Sequence, residues 1–316
     1  MNIMRYTDMH CDTLTECLKS GADVEDCQLQ INLKKLRASG CAAQCFAIFT
    51  QGDGAAEVFE NSVTLFNKIL LNSESVLPVR SGADLLRAKK SGLTGCILTV
   101  ENLGFIGGDV SKIKEIAAAG VRMASLVWNE ENLLAYPNLI FEGGVPDFGK
   151  REKRGLKPSG REAAEALDEQ KIIIDISHLS DGGARELLDR RKIPLVASHS
   201  NAERVCAVSR NLTDALIKKI ADCGGVIGVN FCKDFLGEGS AFGQILKHIL
   251  YIIGAGGEDV IAFGSDFDGI PAYEEMKDCL RMPSLIQYLN DNGISGRVLE
   301  KLCFGNFARV FGEVCG

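Results

Sequence analysis

Two stretches constrain this chain more than any others: Ile172-Ile173-Ile174-Asp175-Ile176-Ser177 and Pro194-Leu195-Val196-Ala197-Ser198, each followed by a histidine. Runs this apolar and β-branched, separated by a helix-forming segment at 184–190, read as parallel strands buried on both faces and joined by a crossover helix. His178 and His199 then leave the sheet at the same edge. In a parallel barrel or open sheet that carboxyl edge is where sites are built, so the two imidazoles can share one metal. A single strand-end histidine is more ordinary as a structural residue, but two at equivalent ends of consecutive strands favour function.

The other apolar segments repeat the arrangement. Strands are expected at 3–9, 42–50, 95–100 and 122–128, then the pair above, then 225–231 and 260–264. A helix over 55–71 sets Val58, Leu65, Ile69 and Leu70 on or near one face, and another over 111–119 is closed by Gly120. Eight strand–helix units point to a (β/α)8 TIM barrel rather than an open doubly wound sheet. With 316 residues, 46% of them hydrophobic, one large core suffices, so a single catalytic domain spanning 1–316 is expected. The interval 129–159, rich in Gly, Pro and charge and without periodicity, is a candidate lid or binding loop, a disordered excursion being the other reading. There is no repeat, phosphate-loop glycine pattern or low-complexity tract.

Charge and cysteine usage narrow the partners. The net charge of −7 comes from dispersed Asp and Glu, so neither nucleic acid nor a membrane surface is an expected partner. The start, Met1 to Asp8, lacks the charged, apolar and small-residue regions of a secretory signal, and no later run is long and apolar enough to span a bilayer. Twelve cysteines are scattered without Cys-x-x-Cys pairing, which suits reduced thiols in the cytoplasm. A homodimer is compatible with these features, and none of them requires it.

The polar residues gather at strand ends: His10 and Asp12 after the first, Glu101 after the third, His178 after the fifth, His199 after the sixth, Asp266 and Asp268 after the eighth. Two imidazoles and two carboxylates suit zinc, and a shared carboxylate lets five side chains hold two ions, which together can clamp a hydroxide and polarise a carbonyl. His10-x-Asp12 alone is weak, because alternate strand residues share a face by geometry. Glu101 is stronger, since a carboxylate closing an apolar strand needs a partner to offset desolvation. Asp8 reads either as a solvated turn residue or as a hydrogen-bond acceptor behind the ligands, and His248, in a helical run at 245–253, as structural.

Taken jointly, these residues resemble the renal or membrane dipeptidase family, zinc dipeptidases of peptidase family M19 with a (β/α)8 fold. The resemblance runs through Asp8-Met9-His10-Cys11-Asp12-Thr13, Thr99-Val100-Glu101-Asn102, Asp175-Ile176-Ser177-His178, Ala197-Ser198-His199-Ser200-Asn201-Ala202, Ser209-Arg210-Asn211 and Gly264-Ser265-Asp266-Phe267-Asp268-Gly269, and covers nearly the whole chain. It implies two Zn2+ per chain, one on His10 and Asp12, the other on His178 and His199, with Glu101 bridging and a bridging hydroxide as nucleophile. It also implies that Asp266 is the acid/base, passing a proton to the leaving amine, and that Arg210 binds the substrate carboxylate. For an isolated Arg, a salt bridge to a neighbouring loop is the ordinary alternative.

The chain departs from the family pattern at two positions. Trp128 stands where the family has a histidine near the developing oxyanion; an indole N–H donates one hydrogen bond and carries no charge, which leaves more of that task to the metals. Phe235 stands where members can present a tyrosine to the substrate carboxylate, and lacks the hydroxyl. The resemblance further implies a cytosolic bacterial-type metallo-dipeptidase that cleaves dipeptides to free amino acids and tolerates a D-residue at the C-terminal position. Two alternatives remain open: another amide or lactam hydrolase on the same metals, with 129–159 setting the substrate, and a non-catalytic peptide-binding barrel.

Overall fold

The computed structural model describes residues 4–139, 141, 142, 145, 146, 148–271 and 273–316, with the backbone alone at 141, 142, 145, 146 and 148–150. Ile3 of the first expected strand and residues 140, 143, 144 and 147 of the expected lid segment lie outside the described residues. Eight parallel strands close into a ring: β1 (Tyr6–Asp8), β2 (Cys41–Phe49), β3 (Thr94–Glu101), β4 (Val121–Ser125), β5 (Ile173–Asp175), β6 (Val196–Ala197), β7 (Val226–Val229) and β8 (Ile261–Phe263). Each pairs with its neighbours in sequence, and β8 returns to β1 with Phe263 opposite Asp8. This is the (β/α)8 TIM barrel that the strand count predicts. A further three-residue strand, Val76–Pro78, pairs with the start of β3, and Phe141–Glu142 forms a small hairpin with Val145–Pro146.

Local chemistry sets where the connecting helices begin and end. Gly40, at φ 78, ends the helix Leu33–Ser39 in the left-handed region that favours glycine, and the chain enters β2 at the next residue. Ser180 caps Asp181–Arg190 by accepting from the Gly183 amide at 3.2 Å, and Thr213 caps Asp214–Asp222 by accepting from Leu216 at 3.3 Å. The crossover helix therefore starts three residues before the expected 184. Strand β4 ends at Ser125 rather than 128, because the Leu126 carbonyl turns out of the ladder to accept from the Asn132 side chain at 2.8 Å.

Packing seals one end of the barrel and leaves the other for chemistry. The helix Asn306–Cys315 sets Phe307, Val310 and Phe311 in one buried cluster with Ile173, Val196 and Val226, at the starts of β5, β6 and β7. Phe311 is fully buried, so truncation to alanine should cost about 3–5 kcal/mol. At the opposite end, close approach is bought by glycine: a Cβ on Gly228 or Gly264 would lie 2.1 or 1.7 Å from the Ser198 carbonyl oxygen. No helix among the described residues is long and apolar enough to cross a membrane.

Candidate metal centre and substrate cavity

All the expected ligands arrive at the carboxyl end of the ring. Glu101 is the last residue of β3, while His10, His178 and His199 follow β1, β5 and β6 within three residues. These four, with Asp12 and Asp266, are at most 8% exposed. Glu101 divides the group. Its Oε1 lies 2.8 Å from His178 Nε2 and 3.5 Å from His199 Nε2, while its Oε2 lies 3.6 Å from His10 Nε2. His10 Nε2 also stands 3.6 Å from Asp12 and 3.7 Å from Asp266. Donor atoms of His10, Glu101 and His199, and likewise of His10, Asp12 and Asp266, fall within 4.8 Å of one another.

Proton positions decide whether this set fits a cation. Asn129 Oδ1, an acceptor, lies 2.9 Å from His178 Nδ1, so that nitrogen carries the proton and Nε2 offers a lone pair. Arg210, which can only donate, approaches the same Nε2 at 3.1 Å. His10 Nε2 is buried with no hydrogen-bond partner. Convergent lone pairs and carboxylate oxygens of this kind are what a divalent metal bound by nitrogen and oxygen ligands needs.

The field differs from ligand to ligand. Burial works to lower the His10 pKa, but Glu101 and Asp12 outweigh it and hold that imidazole well above its ordinary value. Burial, with Arg210 beside it, takes His178 down to about 4, and burial and His10 hold His199 well below its ordinary value. Glu101 sits well below the carboxylate range: burial opposes ionisation, and the three histidines overcome it. Burial pushes Asp266 up to about 7, with His10 pulling down and Asp12 and Glu101 pushing up. Asn230 Nδ2 donates to Asp266 Oδ2 at 2.8 Å and fixes the carboxyl. The Asp266 backbone, at φ 64, is one of four non-glycine residues at positive φ among the described ones.

A cavity of about 260 Å³ opens over these groups, lined in part by Phe49, Trp128, Arg210, Phe235 and Ile270. Arg210 is buried; it donates to the Ser177 carbonyl, to the His199 carbonyl at 3.1 Å and to Ser200 Oγ at 3.4 Å, and its Nε has no partner. Its guanidinium lies 5.5 Å from the Phe235 ring centre. Trp128 meets Phe49 edge to face at 4.9 Å and stands 6.1 Å from the His178 ring. Asp268 also lines the cavity, but its oxygens are engaged: it accepts from Thr13 Oγ1 and the Gln30 amide, each at 2.6 Å, and ties the loop before the helix Leu33–Ser39 to the barrel. A larger hollow of about 1000 Å³, bordered by Val24, Leu33, Arg37 and Lys68, gathers none of these ligands.

Several supporting residues escape a reading of sequence alone. Asn129 and Asn230 are short polar residues of the kind any loop carries, and only the closed ring brings them to the site, while Ser198 adjoins His199 in sequence and gains its partner Asp175 only when β5 and β6 pair. Asp8 proves to be the buried acceptor: it takes the Ser265 amide at 2.8 Å and hydroxyl at 2.6 Å, joining β1 to the segment that carries Asp266. His248 is structural, accepting from the Ala202 amide and donating to the Leu236 carbonyl, both at 3.1 Å. All twelve cysteines are free thiols.

Residues 1–315 match the family model described as membrane dipeptidase, peptidase family M19. A Klebsiella pneumoniae protein described only as uncharacterized, in the pqqA 5′ region, is 35% identical over 240 residues, covering 74% of this chain and 87% of its own length. An uncharacterized dipeptidase of Schizosaccharomyces pombe is 29% identical over 71% of this chain, which spans 54% of that relative. Among solved structures, a Rhodobacter sphaeroides metallopeptidase, crystallised with a phosphinate mimic of L-Ala-D-Ala, superposes with a TM-score of 0.90 at 23% identity, over 99% of this chain and 100% of its own.

Proposed function

The chain belongs to the membrane dipeptidase family, peptidase family M19, a family of metal-dependent hydrolases, and from that membership we propose that it hydrolyses dipeptides to two free amino acids on a binuclear zinc centre. One observation carries the reading: Glu101 turns one oxygen to His178 and His199 and the other to His10. His10 and Asp12 would hold one ion and His178 and His199 the other, with Glu101 offering an oxygen to each pair. Nitrogen and carboxylate ligands in this proportion favour zinc. Bound there, the ions supply Lewis acidity, acidifying a water and polarising the scissile carbonyl.

The chain's own residues do the rest. Arg210, with a free Nε and a face against Phe235, takes the substrate carboxylate and so fixes which amide lies over the ligands. Asp266, near pKa 7 and held by Asn230, accepts a proton from the attacking water and delivers it to the departing amine nitrogen. Trp128 offers one neutral N–H toward the carbonyl oxygen. A small cavity of about 260 Å³ suits two residues better than three. Tolerance of a D-residue at the C-terminal position is supported by a grip on the carboxylate rather than the side chain, and by the L-Ala-D-Ala mimic held by the Rhodobacter relative. We treat 1–316 as one catalytic unit, with 129–159 shaping substrate choice because Trp128 and Asn129, from which it departs, line the cavity. Twelve free thiols support a cytoplasmic location.

The test is hydrolysis of a dipeptide panel, including pairs that differ only in C-terminal configuration, before and after chelation and on zinc return. Cleavage that disappears with the metal and returns with zinc is expected. Turnover that survives complete metal removal would sink the reading, and preference for lactams or N-acyl amides would move it to a different amide hydrolase.

A further inference from the structure

Asp175, the last residue of β5, touches no ligand. Its two oxygens nevertheless have different tasks. Oδ1 accepts three bonds: from the Ser177 amide at 3.0 Å, the Ser177 hydroxyl at 2.6 Å and the Ser198 amide at 2.9 Å. Oδ2 takes one, from the Ser198 hydroxyl. The first set ties the end of β5 to the end of β6, so the segments carrying His178 and His199 move as one. The second has a chemical consequence.

A carboxylate can only accept, so the proton of Ser198 lies toward Asp175. Ser198 Oγ also stands 2.7 Å from His199 Nδ1. With its own proton committed, that oxygen can only accept there, and the proton of the contact must come from the ring. His199 is thereby held with its proton on Nδ1 and its lone pair on Nε2, which faces Glu101 and His178. The close seat of the Ser198 carbonyl against Gly228 and Gly264 leaves this residue no room to drift. A second pair, Asp8 with Ser265, has the same plan, the serine preceding Asp266 as Ser198 precedes His199. There the hydroxyl meets Asp8 and the His10 carbonyl and accepts from the Phe267 amide at 3.2 Å, and among the described residues it reaches no ring nitrogen.

We propose that Asp175 is a positioning residue of the metal centre, acting through Ser198 to fix the ring nitrogen that His199 presents to the ions. This rests on the metal-centre reading above and is independent of which amide is cleaved. The asymmetry of the carboxylate makes it sharp. In Asp175→Asn, Oδ1 keeps its three donors, while an NH2 replaces Oδ2 and donates to Ser198. The Ser198 proton is then turned toward His199 Nδ1 at 2.7 Å, closer than the other neighbour, Ser177 Oγ at 3.1 Å, and the ring proton moves to Nε2, where it blocks coordination. In Ser198→Ala the relay is absent, and neither tautomer is enforced.

Two readouts separate the outcomes: imidazole nitrogen shifts of His199 in the metal-free full-length chain, and zinc retention by the loaded chain against a chromophoric chelator. The wild type should show Nδ1–H. Asp175→Asn should show Nε2–H and a zinc affinity lowered by roughly 100-fold or more; Ser198→Ala should lose about 10-fold, the lower end of the usual effect of such partners. Ser265→Ala should leave the His199 tautomer as it is. A wrongly placed proton is worse than a missing hydroxyl, so Asp175→Asn must exceed Ser198→Ala. The reverse order, or an Asp175→Asn chain that keeps Nδ1–H and holds zinc like the wild type, overturns the proposal. Should Asp175→Asn fail to fold, an unchanged tautomer and zinc affinity in Ser198→Ala overturns it equally. A wild-type chain that retains no zinc refutes the metal-centre reading instead, whatever the tautomer.

Discussion

His178 and His199 bring their Nε2 atoms to 2.9 Å from each other, although hydrogen bonds to Nδ1 of each ring turn a lone pair into that gap. Two lone pairs at this distance repel unless a proton or a cation lies between or beside them. Glu101 adds an oxygen 2.8 Å from the first ring, so the arrangement selects positive charge rather than merely admitting it.

The carboxylate is therefore the first place to break the centre. Glu101→Gln replaces one oxygen by an NH2 that cannot ligate, so both ions should be affected and metal content should fall from two per chain to one or none. Elemental analysis after gel filtration measures it. Full double occupancy in the variant would remove Glu101 from the bridging position.

Asp266→Asn should keep the metal and lose the reaction. The amide preserves the bond geometry to Asn230 but cannot shuttle a proton, and kcat should fall by about 100-fold or more. If kcat holds, the proton moves elsewhere, and Asp268 is a poor candidate because Thr13 and the Gln30 amide occupy it.

Arg210 predicts a pattern across substrates. Arg210→Ala should lower kcat/KM for a dipeptide by roughly 30- to 1000-fold, about 2–4 kcal/mol for a buried charged contact, and much less for the matching C-terminal amide. Equal losses on acid and amide would make the arginine a structural brace for Ser177 and His199 instead.

His248 gives a pH dependence with a definite sign. Burial lowers it to about 4 from an unfolded value near 6.5, so the native state binds fewer protons. Its contribution is present in full above about pH 6.5 and is lost as pH falls through about 4, on the order of 3 kcal/mol at the extreme. Denaturant unfolding of wild type and His248→Gln should differ most at pH 7 and converge toward pH 4; a constant gap would refute it.

How much of this was legible in the sequence depends on how each feature is encoded. The barrel strands were legible because a strand buried on both faces must be continuously apolar, and Ile172 to Ile174 can hardly be anything else. The convergence of the candidate ligands was legible because charge at the end of such a run demands a purpose. What was not legible is encoded by closure of the ring. Nothing local marks Asn230 as the partner of Asp266, thirty-six positions away, or Asp175 as the residue behind His199. The end of β4 is hidden for the same reason: Leu126 and Val127 read as strand, and the Asn132 side chain that draws the Leu126 carbonyl aside is a loop residue. The short strand Val76–Pro78 carries too few residues for any periodicity to show.

The left-handed backbone at Asp266, φ 64, inverts the usual ranking of gentle and harsh substitutions. That region of conformational space is open to Gly, Asn and Asp and costs other residues roughly 1–2 kcal/mol. With Asp266 in the acid/base role proposed above, drift in sequence can thus silence this position through Asn with the fold intact, whereas Glu, which keeps the acid, strains the turn and overshoots Asn230. A descendant that has lost hydrolysis would still look, from its backbone, like an enzyme.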